Sequence, residues 1–313
     1  MNKDIIGFIK RKKGEYILFN SEIDRKVSEE KRDCLQLLLL AHSLEKGSGL
    51  PQIRKGFGVE KAKQLLFLLE KYRNNEVKDF ALLEGFSALK EYLSFSKENG
   101  MELNDIWLGF ESLKSNYDFE LPASGTFYVK SEELYKNISY ENATTFFATR
   151  HSFRNFLHTP IDDIIMRKVV HLAMYAPSAC NRQPCKVYYT SDETKVIKIS
   201  HFIEGIRGFE DAVPNWAVVT ADRDLFRKTE YFQWYVNGGI FLGYFLQALH
   251  ACHIGSCTFQ TPINYSGTQK LRDFIDIPEN ETIIAAVGYG YIPKETKAIC
   301  SSRKAEDKVL VKF

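Results

Sequence analysis

Apolar positions in the first third of the chain recur at helical spacing. Over Val59–Arg73, Leu65, Leu68, Leu69 and Tyr72 fall at i, i+3, i+4 and i+7, the stripe of an amphipathic helix. Glu76–Lys97 carries a second stripe through Leu82, Phe86, Leu89 and Leu93, and Asn99-Gly100 is a fitting stop. The leucine-rich run Asp33–His42 predicts a buried helix, and Met101–Asn116 a further one. Between the first two helices lies His42-Ser43-Leu44-Glu45-Lys46-Gly47, then Pro51, Arg54, Gly56, Phe57 and Gly58. Glycine and proline break the helix there, and the loop reads better as a packing segment than as a binding one. No strand of clear alternation occurs before residue 120, and no repeat suggests a solenoid.

The pattern changes after about residue 140. Thr159-Pro160 predicts the start of a helix with Asp162 and Asp163 in its first turn, ending before Pro177. Lys186–Thr190, Trp216–Thr220 and Ile283–Gly288 read as strands, the second apolar enough to be central. Helices are expected over Asp192–Gly205 and Ser266–Ile275. Tyr235–His253 is apolar on every side, so it calls for burial all round, and a subunit interface would supply it. Its Gly238, Gly239 and Gly243 cost roughly 1 kcal/mol each against Ala, which suggests close approach by another backbone. Alternating helix and strand make this half an α/β or α+β sandwich. The expected division is a helical region, 1–140, and a second domain, 141–313.

Composition narrows the function classes. With 313 residues, 44% of them hydrophobic, the chain can bury a large core. A net charge of +2 gives no bulk field for nucleic acid or an anionic membrane, so any anion site must be local. The basic run Lys10–Lys13 reads as a solvated end. No stretch is apolar for long enough to span a bilayer and the N-terminus lacks secretory features, so a cytoplasmic protein with free thiols is expected. Cys180 and Cys185, and Cys252 and Cys257, lack zinc-knuckle spacing, the first two are read as packing residues, and no metal site is expected. His250 and His253 have no carboxylate nearby in sequence and read as core or interface histidines.

The candidate chemistry lies between Thr149 and Gln183. In an extended segment, Arg150, Ser152 and Arg154 project to one side, bringing guanidiniums and a hydroxyl together as a phosphate or heterocycle edge requires. Surface arginines in salt bridges are the plainer reading. Pro177–Gln183 offers Ser178, the amides of Asn181 and Gln183, and the guanidinium of Arg182 in a proline-stiffened loop. Paired amides suit an imide edge, and a polar turn is the plainer alternative. Dinucleotide, Walker and nucleophile-elbow motifs are absent.

Taken in order, these segments resemble the FMN-dependent nitroreductase family. The set comprises Arg150–Arg154, Ala176–Pro184, Ile254-Gly255-Ser256-Cys257-Thr258, Leu271–Pro278, Val287-Gly288-Tyr289-Gly290 and the tail Ser302-Arg303-Lys304, over about residues 144–313. The resemblance implies an α+β fold, a three-layer sandwich with a central, mainly antiparallel sheet. It implies a homodimer with FMN at the interface, the long helix crossing it, and no nucleic-acid or membrane partner. Arg150, His151, Ser152 and Arg154 would hold the phosphate, ribityl and pyrimidine edge, and Arg303 would pair with the phosphate. Pro177, Ser178, Asn181 and Gln183 would approach the flavin, some from the partner subunit. Thr258, Phe259 and Gln260 would lie beside the ring. The implied activity is a two-step exchange in which NADH or NADPH reduces the flavin and an electron-poor small molecule then takes the electrons. It assigns no catalytic side chain. A dehydrogenase or desaturase of one biosynthetic intermediate, or a flavin-binding scaffold without turnover, are the alternatives. The family's smaller members lack the helical first 140 residues, which could cover the active site or dock a partner. Cys180 and Cys185 replace residues the family usually has there, so both bear on the pocket.

Overall fold

The computed structural model describes residues 12–13, 26–72, 79–259 and 265–313. Gln260 and the Lys10-Arg11 half of the basic run lie outside the described residues. Helix α1 (Glu29–Ser48) extends the expected leucine run at both ends. Ser28 caps it by accepting a bond from Lys31 N, and Glu29 and Glu30 sit in the first turn, where the helix dipole favours acid. α2 (Val59–Lys71), α3 (Phe80–Glu98) and α4 (Asn104–Lys114) follow as the periodicity predicts. Asp79 caps α3, and Gly100, at φ 73°, lies just beyond its C-terminal end.

The loop between α1 and α2 packs on its own helices. The ring of Phe57 occupies the space a Cβ on Gly47 would take, coming within 1.8 Å of it. Tyr92 on α3 donates its hydroxyl to Phe57 O. Gly58, at φ 82°, lies so close to the Tyr92 ring that only glycine fits.

After the short helices α5 (Ser131–Tyr135) and α6 (Tyr140–Thr149), α7 spans Asp163–Ala173. Its start is later than the proline suggested, because Asp162 is the cap and Asp163 opens the first turn. The remaining elements are β1 (Cys185–Thr190), α8 (Glu193–Ser200), β2 (Asn215–Asp222), α9 (Gln233–Ala251), β3 (Gly255–Phe259), α10 (Tyr265–Ile275) and β4 (Glu281–Gly290). The strands form one antiparallel sheet, order β1-β2-β4-β3. Alternation along the buried central strand sorts the layers. Ala217 and Val219 face α7 and α9, with Met166, Val169, Phe241 and Phe245. Trp216 and Val218 face α8 and α10, with Ile199, Phe259 and Leu271. The sandwich is therefore three-layered.

A third cluster joins the two halves. Leu37, Leu65, Leu82 and Phe86 of α1–α3 pack in one core with Ala221, Leu225, Phe226 and Trp234. An ion pair, Lys31 to Asp222 at 2.8 Å, lies beside it.

Within one chain, helix α9 is buried on one side only. Trp234, Phe241, Phe245 and Leu249 are buried, while Tyr235, Val236, Ile240 and Tyr244 are exposed in the single chain. Its glycines divide accordingly. The sheet register slips between Val219 and Thr220, a bulge at Ile284. The Ile284 side chain occupies the space of a Cβ on Gly238, at 2.5 Å. Gly239 and Gly243 meet nothing within 4 Å and border a cavity of about 600 Å³ that Phe146, Phe147 and Leu172 also line.

Candidate functional site

Residues 150–154 run extended beside β3. Ser152 bridges to Ser256, and Phe153 N donates to Ser256 O at 3.1 Å. Arg154 and Arg150 both bear electrostatically on the Cys257 thiol of β3. Burial nevertheless pushes Cys257 upward, so it stays a thiol. Neither guanidinium has a carboxylate partner among the described residues. Arg154 lies over the Phe209 ring at 5.9 Å. His250 bonds Thr149 Oγ1 at 3.0 Å, and burial first, then Arg150, holds its imidazole below the ordinary range.

The loop before β1 is held in an unusual conformation. Cys180 and Asn181, both at φ 51°, and Gln183, at φ 46°, are left-handed without being glycine. Each costs about 1 kcal/mol or more and persists only where surrounding contacts fix it. Asn237 Oδ1 accepts from Ala179 N at 2.8 Å, and Ser178 Oγ accepts from Gln183 N at 3.0 Å. Arg182 is 2% exposed and turned inward. It donates to both carboxylate oxygens of Glu230, at 2.7 and 2.9 Å, and to Leu225 O at 2.9 Å. Glu230 is held below its usual range, chiefly by Arg182. The guanidinium that sequence counted with this cluster is therefore structural, because both of its terminal nitrogens are bonded inside the protein. Cys185 is pushed up to about 12 by burial, as a packing thiol would be.

The register places the two clusters apart. Ser256 pairs with Tyr289, which pairs with Asn215 at the start of β2; Cys185 pairs with Ala221 near the end of β2. β3 and β1 are opposite edges. Residues 150–154 lie one spacing outside β3, so at about 4.8 Å between strands and 3.3 Å per residue the clusters are roughly 19 Å apart across the sheet and 20 Å along it. They occupy diagonal corners.

The profile of the Nitroreductase family matches residues 147–210, which include both clusters. An Archaeoglobus fulgidus protein, provisionally named NADH dehydrogenase/NAD(P)H nitroreductase, is 31% identical over 152 residues, 48% of this chain and 84% of that one. The chain belongs to the nitroreductase family. It is thereby an oxidoreductase in the coarse sense. Among solved structures, an FMN-dependent nitroreductase of Clostridium difficile is 23% identical, with 54% of this chain and 96% of that chain covered and a TM-score of 0.45. A nitroreductase family protein of Streptococcus pneumoniae is 18% identical, with 55% and 100% covered and a TM-score of 0.47.

Other residues of this nitroreductase's expected site are dispersed. Thr258 is exposed on β3, whereas the side chain of Phe259 is in the core, 5.2 Å from the Trp216 ring. Any contact of Phe259 with a ligand must be through its backbone. Arg303 lies on the exposed tail, bonded to Ser301 O at 2.6 Å. Beneath Pro177 and Ser178 is a largely apolar cavity of about 300 Å³ whose walls include Gln183, Cys185, Phe241 and, from α3, Phe80. Sequence reasoning missed Asn237, Glu230 and Phe80, since each reaches the loop through tertiary packing. Among the described residues no helix is long and apolar enough to cross a membrane, and no cluster of acids, histidines and cysteines could hold a metal ion.

Proposed function

We propose that this nitroreductase binds FMN between two copies of the chain and passes electrons from NADH or NADPH to an electron-poor small molecule. The observation that carries this reading is that Arg150 and Arg154, in the extended segment beside β3, have no carboxylate partner among the described residues. Two such donors suit a phosphate, the anionic end of FMN. Arg303, on the free tail, joins that anion when the copies meet, and His151 borders it. The second copy contributes Pro177, Ser178, Asn181 and Gln183, whose amides suit the flavin's imide edge. Thr258 and Gln260 flank the ring. The diagonal placement of the clusters supports a shared site, since one chain keeps its halves at opposite corners. The exposed face of α9, with Tyr235, Ile240 and Tyr244, gives the second copy an apolar surface to cover.

FMN supplies the hydride-accepting and hydride-returning chemistry when bound. The chain's part is to orient the ring, neutralise the phosphate and line the approach with apolar side chains. NAD(P)H enters as donor from family membership and from the Archaeoglobus relative's name. On this reading residues 1–140 are a separate helical region, and the cytoplasm suits a nicotinamide-driven reaction.

The test is the visible spectrum of the purified protein before and after anaerobic NADH or NADPH. A yellow protein that one of them bleaches is expected. A colourless protein that takes up no FMN overturns the reading. Arg150→Ala and Arg303→Ala should each weaken FMN binding roughly ten- to a hundredfold, the usual worth of a hydrogen bond to a charged group. Unchanged affinity would remove that residue from the phosphate site.

A further inference from the structure

Helix α3 begins beside the candidate loop. Phe80 is its first residue, and the backbone there is pinned by the cap: Asp79 Oδ1 accepts from Ala81 N at 2.7 Å, and the buried Tyr72 donates its hydroxyl to Asp79 Oδ2 at 2.9 Å. Further along α3, Leu82, Phe86 and Leu89 lie in the core that also holds Phe226 and Trp234. Ala179 and Cys185 pack against that same core, so the start of α3 and the loop before β1 belong to one packed body. Helix chemistry does not call for an aromatic at this position. Acid suits a first turn, and α3 has none there. Nor does the core claim Phe80, which stays 38% exposed. Its ring forms one wall of the cavity of about 300 Å³ beneath Pro177 and Ser178.

The walls define what that cavity accepts. Val170, Met174 and Phe241 are apolar. Its polar side chains already bond within the protein. Ser178 Oγ accepts from Gln183 N, Gln183 Nε2 donates to Asn181 Oδ1, and Asn237 is held between Ala179 N and Gln233 O. Lys186 Nζ lies 2.6 Å from Glu281 Oε1, which neutralises its charge. Burial keeps Cys185 a neutral thiol. Such walls suit an uncharged, largely apolar ligand. A dry cavity of about 150 Å³ holds one benzene ring, so this one matches about two fused rings.

We propose that Phe80 closes a binding site for an uncharged aromatic molecule of about two fused rings, and that the helical region before residue 140 thereby sets which electron acceptor is taken. The acceptor role rests on the flavin reading, because Pro177 and Ser178 are what connect this cavity to the flavin. The binding site itself does not.

The experiment has two arms. In the first, the purified full-length chain is titrated with naphthylmethanol, anthrylmethanol and the anion naphthoate, followed by probe fluorescence anisotropy, before and after saturation with FMN. The wild type should prefer naphthylmethanol to each of the others by about tenfold. Phe80→Ala should abolish the preference over anthrylmethanol, and Phe80→Trp should weaken naphthylmethanol by about tenfold. A residue that served only folding would change all three probes alike. Phe80 is partly exposed, so both variants should fold, which circular dichroism checks. In the second arm, NADH-driven reduction of naphthoquinone is followed. Phe80→Ala should raise KM about tenfold with kcat within about twofold. An absence of naphthylmethanol binding, or a ring-size preference that Phe80→Ala leaves unchanged, overturns the proposal. Competitive displacement of the probe by FMN also overturns it, since the cavity would then belong to the cofactor. Should the first arm succeed while the wild type takes up no FMN, the flavin reading falls, the acceptor role falls with it, and the site closed by Phe80 stands.

Discussion

Glu84 holds its proton to about 7, where the ordinary carboxyl lets go near 4.5. A carboxyl whose folded value is raised weighs against folding once pH passes its unfolded value, because the unfolded chain ionises more easily. Stability contributed by the protonated form is whole below about 4.5, declines through the interval to 7 and is then gone. Glu84→Gln, which cannot ionise, should therefore raise the melting temperature at pH 8, by up to about 3 kcal/mol of stability, and give little at pH 4.5. Thermal melts at both values check the sign. Arg182 behaves in the opposite sense. Arg182→Met leaves Glu230 without its partner, and an unfolding free energy lower by about 3 kcal/mol in urea is expected with an unchanged slope. Sequence distinguished these residues poorly. The row Arg150, Ser152, Arg154 was legible because alternation in an extended segment is a local property. Whether Arg182 faces solvent or Glu230 depends on a residue 48 positions away, and Glu84 looks like any helix-surface acid until the tertiary fold buries it.

At the level of elements, length and periodicity decided what could be foreseen. The amphipathic helices α2 and α3 and the apolar strands β2 and β4 stand close to where spacing puts them. β3, Gly-Ser-Cys-Thr-Phe, had no apolar alternation to announce it and exists because β4 offers it an edge. The bulge at Ile284 was equally hidden, since register is set between strands. That bulge separates the glycines of α9. Gly238→Ala drives a methyl into Ile284 and should cost about 1–2 kcal/mol in a thermal melt. Gly239→Ala, facing open space in the single chain, should instead gain up to about 1 kcal/mol of helix propensity. Gly239→Arg should leave the protomer folded by circular dichroism yet reduce the particle to one chain by light scattering. A dimer that tolerates the arginine would move the proposed contact away from this face.

For the whole molecule, the sheet acts as a spacer. Its four strands hold the arginine segment at one corner and the amide loop at the other, and no side-chain motion closes a gap of roughly 28 Å. The N-terminal helices share a core with Leu225, Phe226 and Trp234, so they move with the amide corner and leave the other corner free. A site divided in this way can be inherited in pieces. In a two-fold dimer each cleft takes one corner from each chain. Arg150→Ala damages one corner and Asn181→Ala the other, and each variant alone spoils both clefts. Mixed dimers concentrate both lesions in one cleft and leave the second whole. Co-expressing the two inactive variants at equal levels should then restore about a quarter of the wild-type clefts, half the dimers being mixed and half their clefts intact: two defective copies of the gene would complement each other.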